Sequence, residues 1–306
     1  MDYKKINRSY LYMIIITILY TIGLSVYLLF TGGEMSFLVS NLFSELIVLL
    51  PVLIMVLRYH DNLKVLIPLK KIKISSALLT LLYLVMLFPL ISFVNTLSML
   101  FVDNTVMEIS DSIVSAPMWQ MVLSIGIVGP FVEEIVFRGA FLHCYQRTGR
   151  IVGSIVLSSV LFGVMHMNFN QFAYATVIGI MFSLLVEATG SVLTSYLAHA
   201  VFNTVEVIFL YSNANALSEA AMTLEGEEFS MALNIVMLFF AALICTAIAL
   251  CVVVKISDEE QRKDFFINIP HSPKGGIHLV TVSLVISLVI AFAWMIFVEV
   301  ITKMGA

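Results

Sequence analysis

Polar residues along this chain are bunched between nine long apolar runs. The runs are Tyr10–Phe30, Ser36–Val56, Ser75–Phe101, Met118–Phe141, Ile151–Met167, Gln171–Val186, Ser191–Tyr211, Phe229–Val254 and Ile277–Ile301. A transmembrane helix needs about 20 predominantly apolar residues to cross the hydrocarbon layer, and most of these runs have that length. The first follows Lys4, Lys5 and Arg8. It is too long for a signal-peptide core and no A-x-A site follows it, so it reads as an uncleaved first span. The pattern predicts an all-α, polytopic membrane helical bundle of about nine transmembrane helices, eight if one run does not cross. No internal repeat or low-complexity block is visible.

The loops carry an orientation signal. With the N-terminus inside, the inner segments hold fourteen of the sixteen lysines and arginines, and the outer segments 31–35, 103–117, 168–170 and 212–228 hold none. That asymmetry is the positive-inside pattern. It predicts a multi-pass plasma-membrane protein, of bacterial type, with a cytoplasmic N-terminus. The turn at 187–190 fits least well, since it should be inside yet has no cation. The Leu-, Ile- and Lys-containing segment Arg58–Ser75 is expected along the inner surface. Lys255–Gly276, with Pro270 and Pro273, is expected as a loop without helix. Glu219–Glu228 is expected as a solvated outer loop.

Composition narrows the class further. Hydrophobic residues make up 60% and charged residues 12%, with a net charge of −4 and a mean hydropathy of +1.03. An ordinary soluble domain, a disordered chain and a nucleic-acid binder are excluded. Cys144, Cys245 and Cys251 sit in apolar runs and read as membrane-buried thiols. The chain divides into N-terminal spans (1–117), a polar-bearing core (118–211) and C-terminal spans (212–306), all in one membrane-embedded domain whose partner is the lipid bilayer. Oligomeric state is not legible.

An ionisable residue inside a span is expensive and functional by default. The fourth run contains Glu133, Glu134 and Arg138, the fifth ends on Phe162 and His166, and the seventh carries His199, Asn203 and Glu206. Residues four apart share a helix face. Glu134 and Arg138 can therefore pair, leaving Glu133 about 100° away and free. His199 and Asn203 can aim at one point, and Glu206 lies near that stripe, placed to orient either. Glu133 lies sixteen or seventeen residues before Gly149–Arg150 and His166 as many after, which puts both at one depth in a hairpin. The match in depth for His199 is looser. Glu45 and Glu187 read as interfacial or helix-contact groups, and His60, His143, His271 and His278 as solvated or interfacial.

A carboxylate and two imidazoles can activate water in two ways. His166, His199 and Glu133 (or Asn203) can ligate zinc. Alternatively, Glu133 and His166 act as general base while His199 and Asn203 donate to the oxyanion, without metal. There is no H-E-x-x-H or G-x-S-x-G motif, so neither a zincin helix nor a serine nucleophile elbow is available.

Glu133-Glu134…Arg138, Phe162…His166 and His199…Asn203, in that order on successive apolar runs, resemble the three motifs of the CPBP family. This is the Abi-like group of intramembrane CAAX proteases and bacteriocin-processing proteins. Flanking residues agree: Phe137-Arg138-Gly139, Leu161-Phe162-Gly163 and Thr189-Gly190-Ser191. The resemblance covers residues 118–210. It implies an intramembrane endopeptidase acting on peptide or lipidated-protein substrates, often described as a metalloprotease but with well-characterised members that look glutamate-dependent and metal-free. By matching positions, Glu133 and His166 would activate water, His199 and Asn203 would form the oxyanion site, and Glu134 and Arg138 would support them. Two other classes stay in view. An ion-coupled transporter would show matching halves, and none are found. A non-catalytic scaffold or immunity protein would share the fold without the activity.

Overall fold

The computed structural model describes residues 2–32, 35–59, 63–220, 228–272 and 278–305. Among these, every regular element is helical. The principal helices are α1 (Tyr3–Thr31), α2 (Phe37–Tyr59), α3 (Ile74–Ser98), α4 (Met118–Gln146), α5 (Ile151–Met165), α6 (Phe169–Thr189), α7 (Val192–Ala220), α8 (Glu228–Glu259) and α9 (Val282–Gly305). All but α5 are long and apolar enough to cross a membrane. Eight of the nine expected spans thus have the length and composition to cross by themselves; the 15 residues of α5 rise only about 22 Å against a hydrocarbon core of about 30 Å.

Several boundaries move for local reasons. α1 starts at Tyr3, seven residues before the apolar run, because the Asp2 carboxylate caps it by accepting from the Lys5 amide. The polar stretch after α8 is not all loop. A short helix, Lys263–Ile267, and the turn Ile269–His271 bury Phe266 and Ile269 in the core, so two apolar anchors outweigh the local prolines. Glu219 continues α7 and Glu228 opens α8. Residues 221–227 of that acidic stretch, together with His60, Pro273, Lys274 and Gly276, lie outside the described residues.

Burial separates an inner set of helices from an outer one. In the most apolar window of each helix, 50% of α4 and 61% of α6 is buried, against 11% of α1 and 17% of α2 and α8. The outer helices turn rows of Leu, Ile, Val and Phe outward, as a lipid-facing surface requires. Two apolar clusters hold the inner set. One joins Tyr10, Met13, Val52 and Met55 to Phe137, Phe141 and Phe162. The other joins Tyr83, Leu87, Phe182, Leu185, Phe202 and Val253.

Polar ties pin the helix ends. At the cation-rich end, Tyr145 OH donates to Asn7 Oδ1 (2.6 Å), and Asn7 Nδ2 donates to the Leu279 carbonyl (2.9 Å). Ser76 Oγ donates to Glu260. The cation-free turn at 187–190 also finds its explanation here. Glu187, Thr189, Ser191 and Thr194 are buried, the Ser191 hydroxyl donates to the Lys70 carbonyl, and Arg262 Nε donates to the Glu187 carbonyl. The α6–α7 turn therefore lies beneath a cover of other segments, which bring the cations it lacks.

Close helix approach depends on small residues. A Cβ on Gly163 would fall 2.2 Å from Thr176 Oγ1 and 2.8 Å from the Phe172 carbonyl, so α5 and α6 touch backbone to backbone just below His166. Replacing Gly163 with Ala should overpack this crossing and cost on the order of 1–3 kcal/mol, read as a lower melting temperature in detergent with His166 displaced.

Candidate active site

The site grows out of an irregular helix. α4 is interrupted by two π-helical stretches, Val122–Val128 and Glu134–Phe141. The first is explained by Pro130. Through it the Gly129 amide bonds back five residues to the Ser124 carbonyl. The π partner of the Ile125 carbonyl would be the amide of residue 130, and proline has none. Asn203 Nδ2 from α7 fills that vacancy, donating to the Ile125 carbonyl at 3.0 Å. Gly126 lets α7 come this close, since a Cβ there would lie 2.5 Å from Thr204 Oγ1. The second π stretch carries Glu134 and Arg138, and π turns inside α-helices often mark functional sites.

Glu134 and Arg138 are fully buried, and Arg138 Nη1 lies 3.0 Å from Glu134 Oε1. The same oxygen accepts from His199 Nδ1 at 2.9 Å. A carboxylate only accepts, so Nδ1 carries the proton and Nε2 is left to act. His199 Nε2 lies 3.5 Å from Glu133 Oε2. Phe162 forms the floor. The guanidinium of Arg138 lies 4.1 Å from its ring centroid, and the rings of His166 and His199 meet it edge-on at 5.0 and 5.8 Å.

His166 closes α5, where the last carbonyls have no helical partner. Its Nδ1 donates to the Phe162 carbonyl at 2.9 Å, which fixes the tautomer and leaves Nε2 free. Beyond it the chain breaks sharply, with Met167 at φ 57°. The break is bordered by polar side chains: Asn168 bonds the His166 carbonyl and Gln171, and Asn170 bonds Asn95 and Ser98. Non-helical backbone at membrane depth requires such partners or water.

The expected residues therefore fall into layers. Glu134, Arg138 and His199 are buried, while Glu133, His166 and Asn203 are half-buried above them. Glu133, Glu134, Arg138 and His199 touch directly. His166 joins through Phe162, and Asn203 lies one turn along α7 from His199. Glu206 is corrected: it is exposed, and the partners of His199 and Asn203 are Glu134 and the Ile125 carbonyl. Position 206 lies two turns beyond His199, about 10 Å further along α7. Spacing within one helix also missed the link between Glu134 and His199, which joins α4 to α7. Phe182, 5.4 Å from the His199 ring, gave no signal beyond its apolar character.

A metal here would have the Nε2 atoms of His166 and His199 and the Glu133 carboxylate as its donors. Among the described residues, no three His, Cys, Asp or Glu side chains gather in a way that could hold an ion. His199 Nδ1 and His166 Nδ1 are engaged, and the Asn203 amide is bound to backbone.

Glu134→Gln should leave Arg138 buried without its counter-charge and cost roughly 3–5 kcal/mol, the usual penalty for breaking a buried pair. The double variant Glu134→Leu/Arg138→Met removes both charges and should melt above the single variant in detergent. Pro130→Ala should restore the missing amide, let it compete with Asn203 for the Ile125 carbonyl, and leave the melting temperature unchanged or raised.

Comparison with known proteins agrees with the motif order. Residues 115–205 match the family described as type II CAAX prenyl endopeptidase Rce1-like. A curated relative named "Putative membrane peptidase YdiL", from Bacillus subtilis (strain 168), is 34% identical over 107 residues. Those residues are 35% of this chain and 42% of the relative, so the chain spans less than half of the relative's length. No solved structure matches. The residues that build the Glu134–Arg138–His199 cluster thus lie within the stretch that is similar to the Rce1-like family, in a helical membrane bundle.

Proposed function

We propose that the chain is an intramembrane endopeptidase that hydrolyses a peptide bond of a lipidated or membrane-associated substrate. The observation that carries this reading is the 3.5 Å approach of Glu133 Oε2 to His199 Nε2, with His199 held from behind by the Glu134–Arg138 pair. In lipid this arrangement is costly, and hydrolysis is a use for it.

The chemistry follows from which atoms are left unbound. Glu133, half-buried at the rim, takes a proton from water, with His166 Nε2 as a second acceptor for the same water. The resulting hydroxide adds to the substrate carbonyl. His199, through Nε2, and the second amide N–H of Asn203 stabilise the oxyanion. Glu133 then passes its proton to the leaving amine as the carbon–nitrogen bond breaks. The hydroxide oxygen stays with the new carboxyl group, so atoms and protons balance. Glu134 and Arg138 act through His199 by fixing its ring. The loop charges support a cytosolic N-terminus in a plasma membrane, and the family description supports a prenylated C-terminal substrate as the first probe.

In lipid nanodiscs, the protein should cut an internally quenched farnesylated CAAX peptide. Glu133→Gln should lower kcat at least about 100-fold, the lower bound for loss of a general base, with the melting temperature preserved. A wild-type protein that cuts neither this peptide nor a transmembrane one, or a Glu133→Gln variant with full activity, would overturn the assignment.

A further inference from the structure

The matched segment leaves out a carboxyl group that the structure brings to its edge. Glu45 lies in the middle of α2, a helix outside residues 115–205. Its Oε1 lies 3.1 Å from where a Cβ on Gly129 would sit, so its carboxyl is packed against α4 at the one position there without a side chain. Gly129 and Glu133 are four apart, and such positions place their Cβ sites about 5–6 Å from each other on one face. The Glu45 and Glu133 carboxyl groups interact electrostatically across that gap. One turn earlier on α2, Asn41 Nδ2 donates to Ser124 Oγ at 2.8 Å. The seam between α2 and α4 is therefore polar just where Glu133 opens.

Asn41 is satisfied and Glu45 is not. Its Oε2 is buried and has no hydrogen-bond partner among the described residues. A structural role would supply a donor, since a buried acceptor without one costs free energy. Gly129, which faces it on α4, has no side chain, and its amide is committed to the Ser124 carbonyl.

A substrate supplies what is missing. A peptide bond is cut only where the segment is unwound, and an unwound segment has backbone N–H groups with no partner. In lipid each of these must find an acceptor. We infer that Glu45 accepts a backbone N–H of the extended substrate next to the scissile bond, and so positions that bond over Glu133. This rests on the endopeptidase reading and adds a substrate-positioning residue from outside the family segment.

The test uses Glu45→Met and Glu45→Gln in nanodiscs with the farnesylated CAAX peptide. Met has similar length, no acceptor of comparable strength and an apolar character suited to the bilayer. Glu45→Met should raise KM roughly tenfold with kcat changed less than about twofold, the scale of one charge-assisted hydrogen bond. Its melting temperature should be unchanged or higher. Glu45→Gln keeps a carbonyl acceptor and should recover most of the affinity. A series of peptides N-methylated at single amides near the scissile bond should contain one member that binds weakly to the wild type yet loses nothing further with Glu45→Met. Binding of the same series to Glu133→Gln, which does not turn over, gives the result without cleavage. Unchanged KM, or losses that add in full at every methylated position, would overturn the inference and leave the role of Glu133 standing. A lower melting temperature for Glu45→Met with unchanged KM would show a purely structural group.

Discussion

One carboxylate oxygen organises the interior of this protein. Glu134 Oε1 meets both Arg138 Nη1 and His199 Nδ1, at 3.0 and 2.9 Å. Without it, Arg138 would be a buried charge held against the Phe162 and Phe182 rings, and His199 would have no fixed tautomer. With it, α4 and α7 are held in a defined register. A buried ion pair is weak evidence of net stabilisation, because desolvation offsets the Coulombic gain. Its presence in the bilayer is better explained by the orientation it imposes on the imidazole.

The backbone of α4 adapts to the same end. Pro130 removes an amide, a π stretch follows, and the Ile125 carbonyl is released to Asn203. In the second π stretch, His143 Nδ1 donates to the Arg138 and Gly139 carbonyls, both at 2.9 Å. Each irregularity is matched by a side chain that satisfies what the helix gave up, as a low-dielectric interior demands. Glycines serve the complementary purpose. Gly126 lets α7 approach α4, which brings Asn203 to it, and Gly163 lets α6 pack against α5 beside His166.

The outer helices have a different task. α1, α2 and α8 bury few residues of their most apolar stretches, and their large exposed side chains there are mostly Leu, Ile, Val and Phe. They enclose the inner set and, through Glu45, reach its edge. At the cation-rich end, Lys70 and Arg262 cover the α6–α7 turn.

The sequence by itself determined the helical membrane class, the eight or nine spans, the pairing of Glu134 with Arg138, and the order of motifs on successive helices. These follow from runs of apolar residues and from spacings within one helix, which are local and periodic. Tertiary structure alone decided that His199 is bound by Glu134 and not by Glu206, and that Asn203 serves a carbonyl freed by Pro130. It also decided that Glu45 lies one turn from Glu133 along α4. Each of these depends on how far one helix is shifted along and rotated about its neighbour. That shift is set by glycine contacts and buried polar partners on different helices, which no single-helix period records.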